Sequence, residues 1–202
     1  MTILLVELET KGHHVSSYLR SIVLDLINKR KKIILITSKD IKKNAYFSFF
    51  EKHTKLIFIN KINYPKKNNF FSLIAFQFNN YKIIKKKYDQ LRKNEKINHI
   101  YINTLDFLDK PLSILGSPFG KTKFSGLYLN PKFYIKYNIL FTNLIKSKLY
   151  LFLFRKILKI NELSNIFMVD PLCVRFLNRT KSYNHKKIIA INDLGSSNKI
   201  KN

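Results

Sequence analysis

Cysteine occurs once, at Cys173, in a chain of 202 residues. That excludes an intrachain disulfide and any cysteine-based metal site, and it favours a reducing, cytoplasmic setting. Acids are scarce as well: 12 Asp and Glu stand against 38 Lys and Arg, for a net charge of +26. A field of that sign attracts polyanions, so nucleic acid, anionic lipid and phosphorylated substrates all stay open on charge alone. Lysine is abundant in strands, helices and loops alike, which fits a solvating surface as well as it fits a binding site.

Long apolar runs are missing too. No stretch reaches the roughly 18 to 20 residues of a membrane span, and the nearest candidate, residues 149–158, is broken by Arg155 and Lys156. The N-terminus enters an apolar strand with neither a basic lead nor a small-residue cleavage site, so no signal peptide is expected. These absences describe a soluble protein, cytoplasmic or peripheral at the inner face of a membrane. Glycine fingerprints are lacking: the first turn holds one glycine where a dinucleotide site needs three, and no P-loop occurs. A nicotinamide or ATP site is disfavoured, and no cofactor is expected. His53, His99 and His185 are scattered without metal-ligand spacing, so no metal is expected either.

Hydrophobic residues make up 46% of the chain, enough for a real core. Residues 3–8 form an apolar run ending in acids, the form of a central parallel strand. From Val15 the period changes: Val15, Leu19, Ile22, Val23, Leu26 and Ile27 mark one face of a helix that closes on the basic group 29–32. A second buried strand follows at 33–37, completing a βαβ unit with a right-handed crossover. The order then repeats: helix 41–53, strand 55–59, helix 70–96, strands 99–103 and 112–115, helix 138–159, and strands 165–169 and 187–191. The glycine- and proline-bearing stretch 116–126 reads as a loop. Alternation of this kind predicts one α/β domain over 1–195, Rossmann-like and doubly wound, with about six or seven mainly parallel strands. Residues 196–202 read as a polar tail or the start of a linker.

In open α/β sheets, ligands bind beyond the carboxyl ends of the strands. Gly12, His13 and His14 fall in such a position. Glycine lets the backbone pass close to a ligand, and a histidine titrating near neutrality suits a general base towards a hydroxyl. The plainer alternative is that Gly12 makes the turn and the histidines cap a helix. Arg20 and Tyr18 lie one turn along that helix. Asp106, Asp109 and Asp170 follow strand ends; Asp106 and Asp170 are candidate site acids, while Asp109 reads as a turn former. The aromatics of 70–76 between lysines could lie on an anionic bilayer, with core packing as the commoner use of such residues. No RNA-binding signature occurs, so nucleic acid is not favoured.

Val6-Glu7, Lys11-Gly12-His13-His14 and Tyr18-Leu19-Arg20, followed by Ile33-Ile34-Leu35-Ile36-Thr37, resemble the opening of GT-B glycosyltransferases of the glycosyltransferase 4 type. Ser117-Pro118-Phe119-Gly120 with Ser125-Gly126, then Phe167-Met168-Val169-Asp170 and Ile189-Ala190-Ile191-Asn192-Asp193, agree in order with the family's later pieces. The resemblance is specific over roughly the first forty residues. It implies a two-domain enzyme whose N-terminal domain takes the acceptor and whose C-terminal domain binds the nucleotide sugar. The second domain, with its basic pair and paired glutamates, is missing from this sequence. The expectation is therefore an acceptor-binding half, with His13 and His14 catalytic and Gly12, Tyr18, Arg20, Asp106 and Asp170 around a sugar or lipid-linked acceptor. Such a half needs a donor-binding domain or subunit as partner. The alternative class is a non-catalytic basic module for nucleic acid or an anionic membrane surface.

Overall fold

Strand β1 (Thr2–Glu7) is buried along its whole length, because it pairs on one side with β2 (Lys32–Ser38) and on the other with β4 (Ile97–Ile102). The computed structural model describes residues 1–10, 14–60, 64–65, 70–129, 141–179 and 187–191. Within them β3 (Lys55–Ile59), β5 (Phe124–Tyr128), β6 (Leu163–Met168) and β7 (Ile188–Ala190) complete a seven-stranded sheet in the order β3-β2-β1-β4-β5-β6-β7. Every pairing is parallel. The fold is thus the expected Rossmann-like α/β sheet, and its order reverses between β1 and β4. Such a switch point is where open α/β sheets place their ligands.

The period-two alternation of the strands divides the core in two. Leu4, Val6, Ile34, Ile36, Ile100 and Ile102 face α3 (Phe70–Leu91), α4 (Asp109–Leu115), α5 (Phe141–Leu158) and α6 (Pro171–Arg179). Ile3, Leu5, Ile33 and Leu35 face the other way, onto a π-helical turn (His14–Leu19), α1 (Arg20–Asn28) and α2 (Phe47–His53). The chain changes face in the β3–α3–β4 connection. Each fully buried aliphatic or aromatic side chain contributes about 1.5–3 kcal/mol, so both layers are needed to hold the central strands.

Four local readings of the sequence need correction. Residues 112–115 are not a strand. They end α4, whose first turn takes Pro111 without loss because an N–H there has no intrahelical partner. The fifth strand is instead Phe124–Tyr128, which starts within the stretch read as a loop. Its Gly126 is a packing requirement: a Cβ there would lie 3.0 Å from Leu105 Cδ1 and 3.2 Å from the Ile102 carbonyl oxygen. Residues 41–53 are a 3₁₀ turn (Lys39–Lys43) and the separate helix α2, interrupted where the Asn44 side chain accepts a hydrogen bond from the Tyr46 N–H at 3.0 Å. Finally, α3 stops at Leu91, and α6 was not marked in the sequence. Gly126→Val is expected to destabilise the domain by about 1–3 kcal/mol through overpacking. A urea midpoint equal to that of the unaltered chain would show that β5 does not run against Leu105.

Candidate functional site

Glu7 closes β1 at the point where the strand order reverses, and its side chain has no exposure. The strand ends supply its surroundings. Asn103, just beyond β4, donates from Nδ2 to Glu7 Oε2, and the Thr104 hydroxyl donates to Oε1 at 3.4 Å. The Glu9 backbone N–H donates to the same Oε1 at 2.8 Å, turning the chain back over the strand end. Thr37 is the register partner of Glu7 on β2, so it lies on the same face of the sheet. The Asn103 backbone N–H donates to the Val6 carbonyl, which carries the β1–β4 ladder one step past the strand.

Burial pushes the Glu7 carboxyl up to about 7, from 4.5. Its hydrogen bonds with Asn103, the Glu9 N–H and Thr104 oppose that rise, and the Glu9 charge adds to it. Tyr101 on β4 is raised as well, first by burial and then by Glu7 and Tyr18. Tyr18 is itself buried in the π-helical turn. The Asn103 Oδ1 and Thr37 Oγ1 atoms are buried without a hydrogen-bond partner. A protonated Glu7 can donate to Oδ1 once the Asn103 amide turns over, so this cluster accommodates a proton by a single flip. A carboxyl titrating near neutrality beside unspent polar atoms marks the strand end as a candidate functional position.

Sequence reasoning reached the switch point but not Glu7. The signal was available, as an acid ending an uninterrupted buried strand. Gly12 and His13 lie outside the described residues. His14 opens the π-helical turn that follows β1, and its side chain is also outside them. Arg20 is exposed, with its guanidinium 5.1 Å from the centre of the Tyr46 ring and 5.8 Å from that of Phe49. It stacks on the aromatics beside α2. Asp106 follows β4 and accepts from the Leu129 N–H at 2.8 Å, pinning the end of β5. Asp170 accepts from the N–H groups of Leu172 and Cys173 at 2.9 and 3.3 Å, the geometry of a helix N-cap for α6.

Asp109 is not an exposed turn former. It is buried, paired with Lys110 Nζ at 3.3 Å, and accepts from the Tyr128 hydroxyl at 3.1 Å. Lys110 Nζ lies 5.1 Å from the centre of the Tyr150 ring, and Gln77 of α3 bonds both the Lys110 N–H and the Asp106 carbonyl. This second polar cluster joins α3, α4, α5 and β5. It holds the β4–α4 connection in place beyond Asn103. Among the described residues no group of three or more His, Cys, Asp and Glu side chains could hold a metal ion. No described helix is long and apolar enough to cross a membrane. Exposed lysines occur on the 3₁₀ turn 39–43 and α2 on one side of the sheet and on α3 and α5 on the other, and so do not gather into one basic face.

Strand order and the buried cluster together define a Rossmann-like domain with a polar switch-point site. No protein-family model matches the chain, and no curated protein matches it. Among solved structures it is similar to the crystal structure of Acinetobacter baumannii MurG, at 9% identity and a TM-score of 0.43. That likeness covers 84% of this chain and 41% of the other, so the chain spans less than half of that protein's length. A likeness so distant assigns neither family nor activity.

Between pH 4.5 and about 7 the folded chain holds a proton on Glu7 that the unfolded chain has released. The corresponding stability is complete below the unfolded value and is lost as pH rises through the folded one. Glu7→Gln removes that dependence. Its stability relative to the unaltered chain is expected to rise from about pH 4.5 to about pH 8 by on the order of 3 kcal/mol. Urea midpoints across this range test it, and a difference independent of pH would refute the assignment.

Proposed function

We propose that this chain is the acceptor-side part of a nucleotide-sugar-dependent glycosyltransferase. The observation that carries the reading is the buried Glu7 cluster at the β1–β4 switch point, with a titrating carboxyl where an acceptor hydroxyl would be received. The glycosyltransferase character comes from the sequence resemblance: of its described residues, Glu7 ends β1, and Tyr18 in the following turn shares Tyr101 with it as an electrostatic neighbour. In this reading His13 or His14 takes the proton from the acceptor hydroxyl as its oxygen attacks the anomeric carbon of the donor. The bond from that carbon to the diphosphate breaks, and the nucleoside diphosphate leaves. Gly12 gives the loop its close approach, and Glu7 holds the strand end on which the loop turns. Asp106 and Tyr18 are the better acceptor contacts. Arg20, stacked on Tyr46, and Asp170, capping α6, contribute at most at its margin.

A donor's diphosphate has to be neutralised opposite the acceptor, and that opposite wall belongs to a partner domain or subunit. A nucleic-acid module is the weaker reading, because the exposed lysines are distributed over both faces of the sheet. Calorimetric titration of uridine- and guanosine-diphosphate sugars into the chain is expected to give no binding. Micromolar binding by the chain alone would overturn the acceptor-half reading. Turnover restored by a donor-binding partner, and lost with His13→Ala or His14→Ala, is the positive result.

A further inference from the structure

Helix α5 is apolar on two opposite sides. Phe154, Ile157 and Leu158 are buried against the sheet. Ile145, Leu149 and Phe152 recur at spacings of four and three, which puts them in one stripe on the far side. They are 55%, 45% and 52% exposed. Lys156 continues the stripe, with its ammonium 4.9 Å from the centre of the Phe152 ring, and exposed Lys146 and Lys148 flank it. On α4, the next helix of the same layer, Ile114 and Leu115 are a further 60% and 55% exposed. A helix whose amphipathic logic ended at the core would carry polar residues at these positions.

Charge selects what covers the stripe. Residues 110–161 hold ten Lys and Arg and no Asp or Glu, so the sequence around α5 carries cations alone. A second copy would bring the same cations to the same face, in a chain already at +26. An anionic lipid surface supplies both complements: acyl chains for Ile145, Leu149 and Phe152, and phosphates for lysines whose stems lie along the apolar ridge. We propose that the outer face of α5 seats the domain on an anionic bilayer, parallel to its plane. This rests on α5 alone and stands or falls independently of the glycosyltransferase reading.

The chain contains no tryptophan, so Phe152→Trp introduces a single fluorescent reporter at the centre of the stripe. With phosphatidylcholine vesicles containing phosphatidylglycerol, its emission is expected to shift to the blue and to be quenched by brominated acyl chains. With phosphatidylcholine alone it should do neither. In co-sedimentation with the anionic vesicles, replacing Ile145, Leu149 and Phe152 together by Ser should weaken partitioning about a hundredfold, with the far-ultraviolet circular dichroism unchanged. Replacing Lys146, Lys148 and Lys156 by Gln should weaken it by a similar factor. Unshifted emission from the Phe152→Trp chain on anionic vesicles would overturn the proposal, as would equal partitioning of the Ser variant. Concentration-dependent dimerisation that the Ser variant abolishes would also overturn it, assigning the stripe to a contact between copies.

Discussion

Glu7 has to be buried because of where the chain puts it. The strand that carries it lies inside the sheet, paired on both edges and covered on both faces. A carboxyl at the end of such a strand loses its water, and the loss is offset only by the groups its neighbours bring. Asn103, Thr104 and the Glu9 N–H are those groups, and each comes from a chain segment fixed by the β1–β4 pairing. The same contacts therefore turn the chain after β1, extend the ladder after β4 and set the proton affinity of the site. Altering any one of them changes the other two.

The sheet was readable from residue types because a parallel strand covered on both faces is close to uniformly apolar. Residues 33–37 and 55–59 are of this kind, and the expected spans lie within or coincide with the observed ones. Reading failed where tertiary contact replaced local preference. Phe124–Tyr128 holds Ser125 and Gly126, two residues that favour turns; it is a strand because it pairs with β4 and β6, and residue 126 is glycine because Leu105 and Ile102 leave no room for a side chain. Asp109 and Lys110 carry the composition of a surface turn. Only the approach of Tyr128 and Tyr150, from elements far along the sequence, makes a buried ion pair of them. The candidate site shows the same division. Its position followed from the strand–turn–helix pattern, but the protonation of Glu7 depends on Asn103, 96 residues away.

Two surfaces with different chemistry emerge on one domain. The cluster at the switch point is polar, buried and built around a single titrating carboxyl. The outer side of α5 is apolar and exposed, and its charged neighbours are all cations. Breaking the Asp109–Lys110 pair would disturb both at once, because α4 lies between them and a buried charge left unpaired is costly.

The switch-point cluster depends most on the protonation of Glu7, and carbon-13 NMR of its side-chain carboxyl reads that property without reference to ligand or partner. Titration of the folded chain should give a midpoint near 7 for this resonance, apart from the other carboxylates. A midpoint near 4.5, the ordinary value, would mean that water reaches the end of β1. The switch-point cluster would then be a solvated strand end and not the centre of a site.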